Sequence, residues 1–228
     1  MGAKKIKVRK KDTEKADEIL SLTDRVLEWG RKHLTVLLGT VAGLLLVMVV
    51  SWAFGAYSDM KERKAQRELA VLWKQTEALD RKNAAALEEH LNRMKAVVEG
   101  HKGTAAAAGA AATMARLLFD AGRYEEALPW YDRALKDFPK NAAADVVLDY
   151  GRLMCLESLG RVDEALAGWA ALAEKVDGAL KRECLWHQAR LASAKGDREK
   201  AVQLVDAALA VKGFYPEDGF LRAEKSRL

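Results

Sequence analysis

The chain has 228 residues, with 38 lysines and arginines against 33 aspartates and glutamates, for a formal charge of +5. Half of it is hydrophobic, only 7% is aromatic and only 3 residues are proline, which excludes collagen-like and wholly disordered chains and favours helix throughout. Two cysteines are too few for a disulfide framework or a four-thiolate zinc site.

The positive charge is local. Residues 1–11 (MGAKKIKVRKK) hold six Lys/Arg and no acid, so the remainder carries 32 basic and 33 acidic residues. Such a tail suits anionic headgroups or nucleic acid, or acts only as a topology and solubility signal, and the last reading is preferred. No aromatic residue interleaves with it to stack on bases. The near-neutral body gives no electrostatic case for nucleic acid as a partner. Ile19, Leu22, Val26 and Trp29 then recur at helical spacing and predict a short amphipathic helix on a membrane face.

From Leu34 to Ser58 no side chain is charged. A bilayer-crossing helix needs roughly 20 apolar residues, and it satisfies every backbone amide within itself, as lipid requires. The run therefore predicts one transmembrane helix over 34–57, with Trp29, Trp52 and Tyr57 placed as interfacial aromatics. A buried core helix and a signal peptide cleaved near Ala53-Phe54-Gly55 are the alternatives. The length of the run and the 33 residues before it weigh against both. Ten Lys/Arg precede the run and five lie in the 20 residues after it, which predicts a cytoplasmic N-terminus. The remaining chain is then expected on the other side, in a bacterium the periplasm. Gly39 and Gly43 make a GxxxG pair for membrane helix packing, although glycine is common in such helices without a partner.

Beyond the span, Leu69, Leu72, Thr76 and Leu79 form an amphipathic stripe, which predicts a stalk continuing to Leu79. Asp80-Arg81-Lys82-Asn83 breaks it. Leu87, Leu91, Met94 and Val98 mark a second helix, with Gly100 at a C-cap position, and the short link predicts antiparallel pairing. Thr104 precedes an alanine-rich run and reads as the cap of a helix with small side chains for close packing.

An internal repeat follows. Gly122-Arg-Tyr-Glu-Glu-Ala127, Gly160-Arg-Val-Asp-Glu-Ala165 and Gly196-Asp-Arg-Glu-Lys-Ala201 share their spacing, with the alanines 38 and 36 residues apart. The glycine ends one helix in a left-handed turn and the alanine lets the next cross closely. Pro129 is placed in or just after a first helical turn, where free amides tolerate it.

These residues resemble tetratricopeptide repeats. The first, over 108–141, supplies Ala115, Gly122-Arg-Tyr124, Ala127, Tyr131, Ala134 and Pro139; the third, over about 182–211, supplies Ala189, Gly196-Asp197, Ala201 and Ala208. The second is degenerate, with Leu153 at the small-residue position of its first helix. The fold class is thus all-α: one transmembrane helix followed by a solenoid of antiparallel helix pairs. The expected organisation is a basic tail with its short helix over 1–33, a span over 34–57, and a stalk with the first helix pair over 58–103. Three repeat pairs over 104–212 and a tail over 213–228 complete it.

No catalytic constellation is present. His33, His90, His101 and His187 show no metal-ligand spacing, and there is no nucleophile elbow or phosphate loop. No enzyme activity, cofactor, metal or small-molecule substrate is expected. Cys155 and Cys184 fall late and early in successive first helices, on the order of 10 Å apart along the axis, beyond disulfide reach.

The wider order, a short amphipathic segment (Glu28-Trp-Gly-Arg-Lys-His-Leu34), one span, a helix pair and three repeats, resembles the ancillary SecYEG translocon subunit family (YfgM-like) over about residues 25–211. That resemblance implies an inner-membrane protein with a periplasmic repeat domain. It implies, as partners, the Sec translocon, periplasmic chaperones or exported polypeptides, besides the lipid bilayer. The repeat resemblance implies that first helices line a peptide-binding face. By register, its exposed positions are Arg116, Phe119, Tyr150, Met154, Glu157, Trp186 and Arg190. Tyr150 and Trp186 serve equally well as core between helices. The Lys/Asn set with which some such repeats clamp a terminal carboxylate is absent.

Overall fold

The computed structural model describes residue 25, residues 28–81, 83–138, 142–213, 216 and 218–227. The basic tail, Ile19, Leu22, Val26 and Pro139 lie outside the described residues. Those described are helical, in turns or bends, or irregular, with no strand among them.

The chain divides into two units, Met1–Asp59 and Met60–Leu228. In the first unit, residues 28–32 are helical, with Trp29 exposed and its ring 5.0 Å from that of His33. Helix α1, Leu34–Glu77, begins here and is long and apolar enough to cross a membrane. Its residues through Val50 are all exposed, most of them Val, Leu and Met. A Cβ on Gly39 or Gly43 would meet no atom within 4 Å.

The second unit contains the rest of α1 and eight further helices among the described residues. These are α2 (Ala84–Gly100), α3 (Ala105–Asp120), α4 (Tyr124–Asp137), α5 (Ala142–Ser158), α6 (Val162–Ala173), α7 (Gly178–Ala194), α8 (Arg198–Ala210) and α9 (Asp218–Arg227). From α2 onward each packs on the next, and α3 also touches α5. The architecture is an α-solenoid of antiparallel pairs.

Local chemistry sets the turns. Gly122, Gly160 and Gly196 adopt φ of +74°, +69° and +84°. After each, the next residue's amide reaches back five residues: Arg123 to the Leu118 carbonyl (2.8 Å), Arg161 to Leu156 (2.9 Å), Asp197 to Ala192 (3.0 Å). This satisfies carbonyls that a helix end leaves orphaned, and the left-handed backbone requires glycine. Ala127, Ala165 and Ala201 follow, all fully buried at the helix crossings.

Between the first two pairs the devices differ. Residues 60–77 of α1 bury Ala65, Leu69, Leu72 and Thr76, and Thr76 Oγ1 lies 2.7 Å from His90 Nε2 on α2. Burial, helped by the Arg93 charge, holds the His90 pKa below its usual value. The helix stops at Glu77, short of Leu79, which still packs partly buried against the same core. Gly100 remains within α2, and the left-handed turn falls to Gly103 at φ +79°. Thr104 caps α3 by accepting from the Ala107 amide at 3.1 Å. The Glu62 carboxylate accepts from the next two free amides, Ala105 (2.8 Å) and Ala106 (3.0 Å). An anion at a helix N-terminus is stabilised by those orphan donors and the helix dipole.

Two positions expected to weaken the repeat are compensated. Leu153 replaces a small residue, and its side chain fills the space at Gly168 on α6: a Cβ there would lie 2.0 Å from Leu153 Cδ2. Gly151 does the same for the Tyr131 ring, which a Cβ would meet at 2.5–2.6 Å. Pro129 sits in the second turn of α4, deeper than expected, since the helix starts at Tyr124. α9 lies in the tail that had no assigned structure. It buries Leu221 against Ala189, Val205 and Ala208 and forms a small core of its own with the last pair.

Candidate functional site

The first helices of the pairs, α3, α5 and α7, align on Ala115, Leu153 and Ala189, all buried. Three residues earlier stand Ala112, Tyr150 and Trp186. Tyr150 and Trp186 each bridge to the following first helix. The Tyr150 hydroxyl donates to Glu183 Oε1 on α7 at 2.5 Å, and the Trp186 ring meets Phe220 on α9 edge-on at 5.4 Å. Ala112 is too short to bridge.

At Ala112 a cavity of about 480 Å3 opens instead. Trp73, Thr76 and Glu77 of α1 form one wall, Ala112, Thr113 and Arg116 of α3 the floor, and Val147 and Leu148 of α5 the other wall. Tyr131 reaches it from α4 and Arg81 from the α1–α2 link. Trp73 is fixed by its indole N–H, which donates to Thr113 Oγ1 at 3.0 Å, yet stays 49% exposed. Val147 is 69% exposed. Arg81 pairs with Asp120 at 2.6 Å. Arg116 and Glu77 form no hydrogen bond or ion pair with any of the described residues. Burial, then Cys155 and Asp120, push the Tyr131 phenol up to about 12 against the smaller opposing charge of Arg116, so it stays protonated.

The other end is internally satisfied. The Glu157 carboxylate, expected exposed, is 8% exposed. Its Oε1 accepts from Trp169 Nε1 at 2.5 Å and lies 2.7 Å from His187 Nδ1, while Oε2 pairs with Arg190. The Trp169 and His187 rings stack 4.2 Å apart at 10°, and Tyr150 packs edge-on to both. Burial alone would raise the Glu157 pKa, but the His187 hydrogen bond and charge, Arg190 and Trp169 together hold it below the ordinary carboxylate value. Burial and the Glu183 bond push the Tyr150 phenol up.

Of the seven expected groove residues, only Arg116 lines the cavity. Glu157 and Arg190 are spent on each other, and Tyr150 and Trp186 pack between helices, the alternative reading of those two. Met154 and Phe119 are half-buried against the core, Phe119 edge-on to Tyr124 at 5.2 Å. Trp73 and Val147 carry no local sequence signal for a groove position. Comparing Ala112 with its equivalents Tyr150 and Trp186 is the signal that finds the cavity. Cys155 and Cys184 are free and buried, and burial pushes both thiols up to about 11. Among the described residues, no three His, Cys, Asp or Glu side chains are placed to hold a metal ion.

The family model of the tetratricopeptide repeat matches residues 108–153, which covers most of α3, all of α4 and most of α5. No curated protein matches the sequence. Among solved structures, a tetratricopeptide repeat protein from Parabacteroides merdae superposes with a TM-score of 0.56 at 18% identity, over 71% of this chain and 60% of its own. A Podosopora anserina protein of nearly identical TPR-like repeats gives 0.53 at 12% identity, over 72% and 84%. MamA from Desulfovibrio magneticus gives 0.50 at 18% identity, over 70% and 86%. These likenesses concern the fold. The chain carries a tetratricopeptide-type α-solenoid fold, with the repeat model matched over residues 108–153.

Proposed function

We propose that this protein is a non-enzymatic adaptor, anchored in the bacterial inner membrane by α1, whose periplasmic solenoid binds polypeptide segments beside the Sec translocon and periplasmic chaperones. The groove between α1, α3 and α5 carries this reading. It presents a half-exposed indole, an exposed valine and an arginine with no hydrogen-bond or ion-pair partner among the described residues in one concavity. The uncharged run within α1 supports the anchor, and the excess of positive charge before it supports the orientation. Anchoring raises the local concentration of the solenoid beside a membrane complex, so each contact can be weak. Gly39 and Gly43 supply a close-packing face in the membrane. A scaffold for another envelope complex, in outer-membrane biogenesis or respiration, is the second reading.

A photocrosslinking side chain at Val147, activated in intact cells, tests both. Crosslinks to translocon subunits or exported chains support the first reading, and crosslinks confined to another envelope complex support the second. No protein crosslinks at Val147 would remove the groove as a binding surface. Protease added to spheroplasts should degrade the solenoid, and its protection would overturn the orientation.

A further inference from the structure

We infer that the cavity beside Ala112 is a side-chain pocket selecting a polypeptide segment that presents one large apolar residue next to a carboxylate. This rests on the adaptor reading and names what that groove selects. The cavity has a specific cause: Ala112 stands where Tyr150 and Trp186 close the equivalent space in the next two repeats. Its volume of about 480 Å3 lies within the range of roughly 300–1,000 Å3 typical of ligand sites.

The walls match an apolar anchor. Trp73 is held in place by its bond to Thr113 yet stays half-exposed, and the exposed Val147 lines the same cavity. Covering these surfaces removes apolar area from water, and an ordered aromatic makes a good anchor contact. The rim adds selectivity. Arg116 has no partner among the described residues, whereas Arg81, the other cation at the cavity, is taken by Asp120. A guanidinium next to an apolar pocket favours a carboxylate, which it binds through two parallel hydrogen bonds. Glu77, on the opposite wall, accepts a backbone amide of the same segment.

The test uses the full chain in lipid nanodiscs and a fluorescein-labelled dodecapeptide of Ala, Ser and Gly with a central Phe-Asp. Fluorescence anisotropy should show binding. Replacing the peptide Phe with Ala should weaken it about tenfold, as should Ala112→Trp, which fills the cavity. Arg116→Glu at an exposed site should weaken the Asp peptide about tenfold and favour a Lys counterpart, a reversal that misfolding does not produce. Unchanged affinity in Ala112→Trp would overturn the pocket while leaving the groove reading in place. A uniform loss in Arg116→Glu, without recovery on the Lys peptide, would overturn the carboxylate preference. Equal binding of Asp and Lys peptides by the unmodified chain would point to an unselective apolar ligand such as an acyl chain. Self-association lost in Ala112→Trp with peptide binding intact would assign the cavity to a second copy. Either result overturns the proposal. If no peptide binds the unmodified chain, the pocket falls; the adaptor reading falls with it only when Val147 also captures no protein.

Discussion

The two ends of the groove use equivalent positions in opposite ways. Between α5 and α7, Glu157 pairs with His187 and the half-exposed Arg190, and Tyr150 packs edge-on to His187 and to a fully buried Trp169. Between α1, α3 and α5, Ala112 leaves a gap, Trp73 stays half-exposed and Arg116 stays unpaired among the described residues. One end is built as core and the other as surface, on the same repeat. A helical repeat therefore does not by itself define a binding face; what matters is whether the next helix supplies partners for the groove positions.

The largest test of that contrast is a pair of truncations. Trp169→Ala removes a fully buried aromatic and one donor to Glu157 and is expected to cost about 3–5 kcal/mol. Trp73→Ala, at the open end, should cost far less. Thermal unfolding followed by circular dichroism reads both, and equal losses would erase the distinction. A smaller effect is expected at Gly168, where an added methyl would collide with Leu153. Gly168→Ala should lose about 1–3 kcal/mol by overpacking, and pairing it with Leu153→Ala should recover part of that loss.

The Glu157 network adds a pH signature. Its folded pKa is depressed, so its contribution is fully present above the unfolded value of about 4.3 and is lost as pH falls through the folded value. Stability of the unmodified chain should drop on acidification below about pH 5. Glu157→Gln should be less stable near neutrality by about 1–3 kcal/mol, because it weakens hydrogen bonds to charged groups, and its decline with acid should be shallower. An identical acid profile for the two chains would show that the cluster is not what titrates.

How far this was legible from sequence depends on the range of the interaction. Gly122, Gly160 and Gly196 with their following alanines act within one turn, and their spacing alone marks the repeats. The Leu153 substitution looks like decay until Gly168, fifteen residues on, supplies the room. Glu157 reads as an exposed groove position because its partners lie 12 and 30 residues away, on two other helices. Gly100 is the last residue of α2, but the chain turns left-handed only at Gly103, after His101 and Lys102. α9 has no glycine–alanine signature and is held through Leu221, Phe220 and the ion pair of Lys225 with Asp206, so no local pattern announces it. The cavity is the subtlest case, since it follows from an absence at Ala112.

The smallest expected effect tests the open end by adding rather than removing atoms. Gly109 lies inside α3 beneath Trp73, and a Cβ there would sit 3.5 Å from Leu69 Cδ2 and 3.7 Å from Trp73 Cζ2, ordinary contact distances. Its backbone is helical and needs no left-handed freedom. Gly109→Ala therefore gains helix propensity without a clash and should stabilise the chain by up to about 1 kcal/mol, read as a small rise in Tm. The same change at Gly168 should lower Tm. If Gly109→Ala were destabilising instead, α1 and α3 would be packed as tightly as α5 and α6, and the open end would have to arise from side-chain identity at Ala112 alone rather than from looser packing of the first helices.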